Sequence, residues 1–272
     1  MPELPEVETT RRGLVARLCG TMITELAVRE RRLRWPVERK LSVRLRGARI
    51  RAIERRGKYL LVDCGGGWLI LHLGMSGSLR ILPQGTPAGR HDHVDFLLAN
   101  GQLLRLTDPR RFGAVLWAGS DPLSHPLLAH LAPEPLEAAF TAEWLHARLA
   151  GRKAAIKSLL MDGHIVTGVG NIYAAEALFR ARIHPATPGR RLGPARCARL
   201  VEAIRKTLQA AIAAGGSTLR DFVAADGRPG YFQQEYYVYG RAGQRCRVCG
   251  TRIRSLRQGQ RATFYCPRCQ RF

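Results

Sequence analysis

The sequence predicts an α+β chain: a β-sandwich led by one helix, then a helical region, then a metal-stapled tail. Three observations carry this reading. Six short apolar runs follow one another between 58 and 118, and apolar side chains recur at helical spacing between 141 and 215. Four Cys near the C-terminus fall as two C-x2-C pairs.

The elements follow in order. Pro5 suits a first helical turn, where its missing N–H costs nothing. Glu6 and Glu8 lie where the helix dipole favours acids. Val7, Leu14 and Leu18 supply an apolar stripe, and Gly20 ends the helix. From about 41 to 118 the chain reads as antiparallel β, with runs at 58–64, 68–73, 78–82, 93–99, 102–107 and 112–118. Asn100-Gly101 marks a hairpin, because both residues tolerate positive φ. Six or more strands at this spacing predict a sandwich. Residues 119–140 carry Asp121-Pro122, His125-Pro126 and Pro133-Glu134-Pro135, which break both periodicities and read as a linker. Beyond it, Ile156, Leu159 and Leu160 share a face, and Leu200, Ile204, Leu208 and Ile212 are spaced by four until Gly215-Gly216 stops the helix. The tail from about 236 to 272 is Gly- and Arg-rich and hairpin-like. The expected divisions are 1–130, 131–235 and 236–272.

Composition narrows the function. The 272 residues hold 44 Lys plus Arg against 21 Asp plus Glu, a net charge of +23. A surplus of this size points to a polyanion, and nucleic acid is the expected one. No apolar stretch is long enough to span a membrane, and the N-terminus lacks the pattern of a signal peptide. The expected compartment is therefore a reducing cytoplasm, and seven Cys, an odd total, fit metal ligation there better than a disulfide framework. Cys246, Cys249, Cys266 and Cys269 suit a closed, tetrahedral, structural zinc site. Four protein thiolates leave no open position for a catalytic water, so the zinc should fold the tail. Arg252, Arg254, Arg257 and Arg261 lie between the pairs and would face phosphate. No organic cofactor is expected.

Two further features are open on the residues alone. Gly168-Val169-Gly170-Asn171 opens a helix, with Asn171 as a candidate cap and free N–H groups as an anion site. A tight helix–helix turn would look the same. At the N-terminus, loss of Met1 would expose Pro2 as a secondary amine. An α-amine has a pKa of about 8 against about 10.4 for Lys, so roughly a quarter is neutral at pH 7.5. It would be a ready nucleophile for a sugar C1′, with Glu3 and Glu6 nearby to move protons. The same residues also make an ordinary helix start.

The chain resembles the bacterial formamidopyrimidine-DNA glycosylase family along nearly its whole length. The resemblance rests on PELPEVET at 2–9, RRGKYL at 55–60, HLGMSG at 72–77, HDHVDF at 91–96 and TDPRRFG at 107–113. It continues with GVGNIYAAEALF at 168–179, YFQQEYYVYGR at 231–241 and the Cys finger at 246–270. It implies a sandwich domain, a helix-two-turns-helix domain and a zinc finger, with DNA lying between the first two. It implies excision of 8-oxoguanine and formamidopyrimidines from double-stranded DNA, through an iminium on Pro2, and β,δ-elimination at the abasic site.

The family's roles map as follows. Glu3 matches the acid/base, Glu6 a supporting carboxylate, Lys58 the proton donor for β-elimination, and Arg261 the residue for δ-elimination and phosphate contact. The target nucleotide must leave the stack. Met75, Arg110 and Phe112 match the trio that fills the gap, although without the family Met75 and Phe112 would read as core. His91, Lys157 and Asn171 match phosphate contacts, and Arg152 and Lys153 fall where the family is often basic. The lesion-reading loop would run from Gly216 towards Tyr239. A monomer associated with the nucleoid is expected. Two alternatives remain: an oxidised-pyrimidine enzyme of the endonuclease VIII type, and a non-catalytic damage-binding zinc protein. Leu4 and the MSG…RRF set favour the purine enzyme over the first, and the Pro2, Glu3 and Lys58 set argues against the second.

Overall fold

The computed structural model describes residues 2–217 and 231–272. The chain runs α1 (Leu4–Leu18), β1 (Ile23–Val28), α2 (Leu41–Leu45), β2 (Ala52–Arg56), β3 (Tyr59–Asp63), β4 (Trp68–His72) and β5 (Ser78–Pro83). It continues with β6 (Asp92–Leu98), β7 (Gln102–Thr107) and β8 (Ala114–Gly119). Four helices follow: α3 (Ala142–Leu149), α4 (Ile156–Leu160), α5 (Asn171–Arg180) and α6 (Pro194–Ala213). The hairpin β9 (Arg254–Gln258) and β10 (Arg261–Tyr265) closes the chain. The fold is α+β.

Among the described residues the strands before α3 form two antiparallel four-stranded sheets, ordered β1-β6-β7-β5 and β2-β3-β4-β8. Leu60, Val62, Leu69 and Leu71 of one sheet share a core with Val94, Phe96, Leu104 and Leu106 of the other. Val7, Leu14 and Leu18 of α1 join the same core. Its apolar stripe therefore does what the sequence predicts, and α1 packs against β2 and β3.

The boundaries differ from expectation where loops carry the special residues. Leu41–Leu45 is a short helix, not the start of β structure, and β1 and β2 are additional strands. The run expected from 112 begins at Ala114, because Phe112 stands out on the preceding loop. Lys58 sits in the β2–β3 turn after Gly57, whose φ is +59°, and not at a strand start. In the β6–β7 hairpin only Gly101 takes positive φ, while Asn100 accepts a hydrogen bond from the Gln102 N–H.

The chain forms two compact units. One runs from the N-terminus to Ala129 and is rejoined by the chain from Ala214; the other comprises His130–Ala213 and Phe232–Phe272. The Cys tail is grouped with the helices in the second unit. Phe179 and Ala175 of α5 share an apolar cluster with Val238, Ile253, Cys246 and Cys266. Among the described residues no helix is long and apolar enough to cross a membrane.

Candidate active site and nucleic-acid interface

The N-terminal residues of the first unit are held by their own helix. Glu3 is the N-cap of α1, and the Glu6 carboxylate accepts its N–H at 2.8 Å. The other Glu6 oxygen accepts the Ser217 N–H, also at 2.8 Å. Glu6 thus ties the start of the helix to a residue 211 positions later. Gly216, at φ +81°, lies so close that a Cβ there would come 3.1 Å from the Glu6 carboxylate. Pro2, Glu3 and Glu6 are all buried. Most of the expected lesion loop, residues 218–230, lies outside the described residues.

A second brace fixes Lys58. The Glu8 carboxylate binds Arg11, Arg12 and Arg55. Burial opposes its ionisation, yet hydrogen bonds from Arg11 and Arg12 and the charges of Arg11 and Arg55 hold it at about 2. Arg55 also donates to the Gly57 carbonyl, so the turn bearing Lys58 is anchored to α1. His72, not singled out from the sequence, lies near Lys58. Burial, then the charges of Lys58 and Arg34, push its imidazole down to about 4. Its Nδ1 accepts the Gly74 N–H, and its ring packs 4.7 Å from that of Tyr59. Only its place in HLGMSG could have flagged it.

Met75, Arg110 and Phe112 come together. Met75 is 40% exposed and Phe112 41%, so neither is core. The Arg110 guanidinium lies 4.9 Å from the Phe112 ring centre. Gly74, at φ +60°, packs directly on the Phe112 backbone, where a Cβ would clash. Asp108 pins both loops and is wholly buried. One carboxylate oxygen accepts Ser76 Oγ at 3.1 Å and the Arg110 N–H at 3.3 Å; the other accepts the Gly113 N–H at 2.7 Å. His93 Nε2 hydrogen-bonds the Asp108 carbonyl, and the Asp108 N–H donates to the His91 carbonyl. Sequence reading missed Asp108, although it sits inside TDPRRFG.

In the second unit, Lys157 is only 1% exposed. Its ammonium donates to Asn171 Oδ1 at 2.5 Å, Thr263 Oγ1 at 2.7 Å and the Ala262 carbonyl at 3.2 Å. It joins α4, α5 and β10 as a buried strut, so an open phosphate-binding cation is not what this position offers. Asn171 does not cap α5. Gly170 is the N-cap, and the Asn171 amide turns to Lys157, the Ala262 carbonyl and the Tyr239 hydroxyl. Arg152 and Lys153 are exposed in the loop before α4. Arg261 is exposed just after the β9–β10 turn, with a nitrogen 3.8 Å from the Met161 sulfur. It lines a cavity of about 270 Å³ together with Ser158 and Gln258.

The four Sγ atoms of Cys246, Cys249, Cys266 and Cys269 lie within 4.8 Å of one another. Two pairs are 4.0 and 3.4 Å apart. A tetrahedral zinc with Zn–S near 2.3 Å needs S···S of about 3.8 Å. The Val248 and Cys269 N–H groups point at Cys246 and Cys266 sulfur, as thiolate acceptors require. The donor set fits one structural Zn²⁺.

These features define a class: a two-unit α+β protein with a buried carboxylate pair at its N-terminus and a tetrathiolate finger packed on its helices. Three family models match the chain. They are the formamidopyrimidine-DNA glycosylase N-terminal domain at 1–115, its H2TH domain at 131–223, and the zinc finger found in FPG and IleRS at 243–271. The formamidopyrimidine-DNA glycosylase of Aromatoleum aromaticum is 59% identical over the full length of both chains, and that of Pseudomonas aeruginosa 58% over the same span. Lactococcus lactis Fpg bound to abasic-site DNA superposes with a TM-score of 0.93 at 36% identity, covering 99% of this chain and 100% of that one. The Fpg protein of Thermus thermophilus gives 0.89 at 39%, covering 99% and 98%. The chain belongs to the formamidopyrimidine-DNA glycosylase family.

Proposed function

We propose that this protein is a base-excision-repair enzyme that removes oxidised purines from duplex DNA and then cuts the abasic site by β,δ-elimination. The observation that carries the reading is the N-terminus: Pro2 precedes a helix whose first turn is fixed by Glu3 and Glu6. The positive end of a helix disfavours a neighbouring ammonium, which favours the neutral amine that attacks. Once Met1 is removed, the Pro2 nitrogen bonds to C1′ while the C1′–base bond breaks and the base leaves with a proton. Glu3 is the acid/base for these transfers. Glu6 is a positioning residue, since both its oxygens hold backbone N–H groups. The Pro2 nitrogen gives up its proton and the C1′–O4′ bond opens, with O4′ taking a proton from Glu3, so that nitrogen and C1′ form an iminium that makes the C2′ proton acidic. Its removal expels the 3′ phosphate, and a second elimination expels the 5′ phosphate. Lys58 carries protons in the first elimination, and Arg261 neutralises phosphate in the second.

Met75 and Phe112 fill the gap left by the everted nucleotide, and Arg110 donates to the base opposite. Their exposure and their shared anchor support this role. His91, Arg152, Lys153 and Asn171 serve the phosphate backbone, with Lys157 orienting Asn171. The protein acts as a monomer in the cytoplasm, on the nucleoid. Borohydride trapping tests the reading. Untagged protein is incubated with duplex DNA holding one 8-oxoguanine opposite cytosine, reduced, and the cross-linked peptide sequenced. A cross-link at Pro2 is expected. A cross-link at a lysine, or none despite binding and Met1 removal, overturns the assignment.

A further inference from the structure

A second concavity lies in the helical unit, at the end of α5 remote from Asn171. Helical rise separates the two ends by about 14 Å. The cavity measures about 380 Å³, within the range of small-ligand and side-chain pockets. α5, α6 and the Cys finger meet there. Phe179, Ala203 and the finger's Val248 supply apolar walls. Val248 is 59% exposed, an apolar side chain left standing in water beside the cavity.

Four cations ring these walls: Arg180, Arg182, Arg199 and Lys206. Glu202 is the lone carboxylate, and Lys206 already engages it at 2.7 Å. No carboxylate lies within ion-pair distance of the three guanidiniums among the described residues. Arg180 is fixed in another way. Its guanidinium lies 5.1 Å from the Tyr237 ring centre, and Tyr237 stacks on Phe179. That shelf holds the cation in place, and the buried Glu176 carboxylate on the same helix, which feels its charge, is already taken up by the Tyr237, Val238 and Tyr239 N–H groups. Arg182 occupies φ +57°, a backbone conformation that favours glycine, just past the end of α5. The chain keeps a cation where helix termination alone would choose the smaller residue.

We propose that this pocket docks an acidic peptide segment of a partner protein, with one apolar side chain entering the cavity and its carboxylates meeting the rim. Guanidiniums bind carboxylates bidentately, and Arg180 is already oriented for it. Duplex DNA fits less well. A phosphate backbone would use the cations but has no apolar group for the walls. The proposal is independent of the glycosylase reading, because none of these residues belongs to the proposed chemistry.

The test uses the full-length, zinc-loaded protein and a short fluorescein-labelled peptide, rich in aspartate with a single phenylalanine, read by anisotropy. Saturable binding is expected. The double change Arg180→Glu with Arg199→Glu should weaken it roughly ten-fold or more, as reversal turns attraction into repulsion. Lys206→Glu, at an exposed position on the same rim, should also weaken it. Both variants should keep wild-type excision and nicking rates, which also confirms that they fold. A peptide with serine in place of phenylalanine should bind several-fold more weakly. Equal binding by the serine peptide would reduce the interaction to charge and overturn the pocket. So would unchanged affinity in the variants, or displacement of the peptide by undamaged duplex DNA.

Discussion

Asp108→Asn separates the proposed gap-filling role of Met75, Arg110 and Phe112 from the proposed chemistry. The carboxylate receives three donors, from Ser76, Arg110 and Gly113, in a wholly buried place. The amide keeps one oxygen and sets an N–H group against at least one of those donors. A hydrogen bond to a charged acceptor contributes about 1.5–3 kcal/mol, and a buried group left unpaired costs about 1–3 kcal/mol. A loss of about 2 kcal/mol is therefore expected, concentrated in the loop between Asp108 and Gly113. If it falls on placement of Arg110 and Phe112 in the transition state, excision slows about 30-fold. The assay compares two single-turnover reactions. One is release of 8-oxoguanine from duplex DNA; the other is strand cutting at a preformed abasic site in single-stranded DNA, which has no gap to fill. The first should fall at least about ten-fold and the second less than about three-fold. Equal losses in both, or none in either with a lowered unfolding midpoint, would refute the reasoning and leave Asp108 a purely architectural residue.

Three other outcomes follow from the structure. Stripping zinc with a strong chelator should unfold the finger and deprive Lys157 of its Ala262 and Thr263 acceptors; amide hydrogen exchange in α5 should then accelerate, and unchanged protection there would contradict the strut. Glu8 titrates near 2 in the folded protein against 4.5 ordinarily, so its stabilisation is complete above pH 4.5 and disappears as pH falls towards 2. Because the group is partly screened, Glu8→Gln should remove only about 1 kcal/mol at pH 6 and almost nothing at pH 2, read from urea midpoints. Roughly six phosphate contacts should give a log–log salt slope near −5 for binding undamaged duplex, and a flat dependence would make the +23 charge incidental.

Much of this was legible in the residues because it depends on local chemistry. The four Cys, the helix start at Pro5 and the period-four stripe of α6 all declare themselves within a few positions. The sandwich was legible as six runs, but not β1 or β2, where Glu25 and Glu54 interrupt an apolar pattern that only the sheet partners complete. Site residues whose role depends on distant partners were illegible. Lys157 reads as one more cation until Thr263, 106 positions away, is seen to accept from it. Asp108 stays inconspicuous inside TDPRRFG until Ser76 and Gly113 converge on it. Asn171 reads as a cap, since nothing local reveals that its amide is engaged elsewhere.

The bond between Glu6 and Ser217 bears on how the protein is made. At a ribosome adding about 5–20 residues per second, Ser217 is synthesised some 10–40 seconds after Glu6. The sandwich can assemble long before then, with Glu6 already holding the Glu3 N–H but not yet the Ser217 N–H. The N-terminal unit is therefore finished by a segment that arrives only after all four helices of the other unit have been translated. A chain released before Ser217 would hold the sandwich and its N-terminal amine, yet lack the contact that closes the carboxylate beside it.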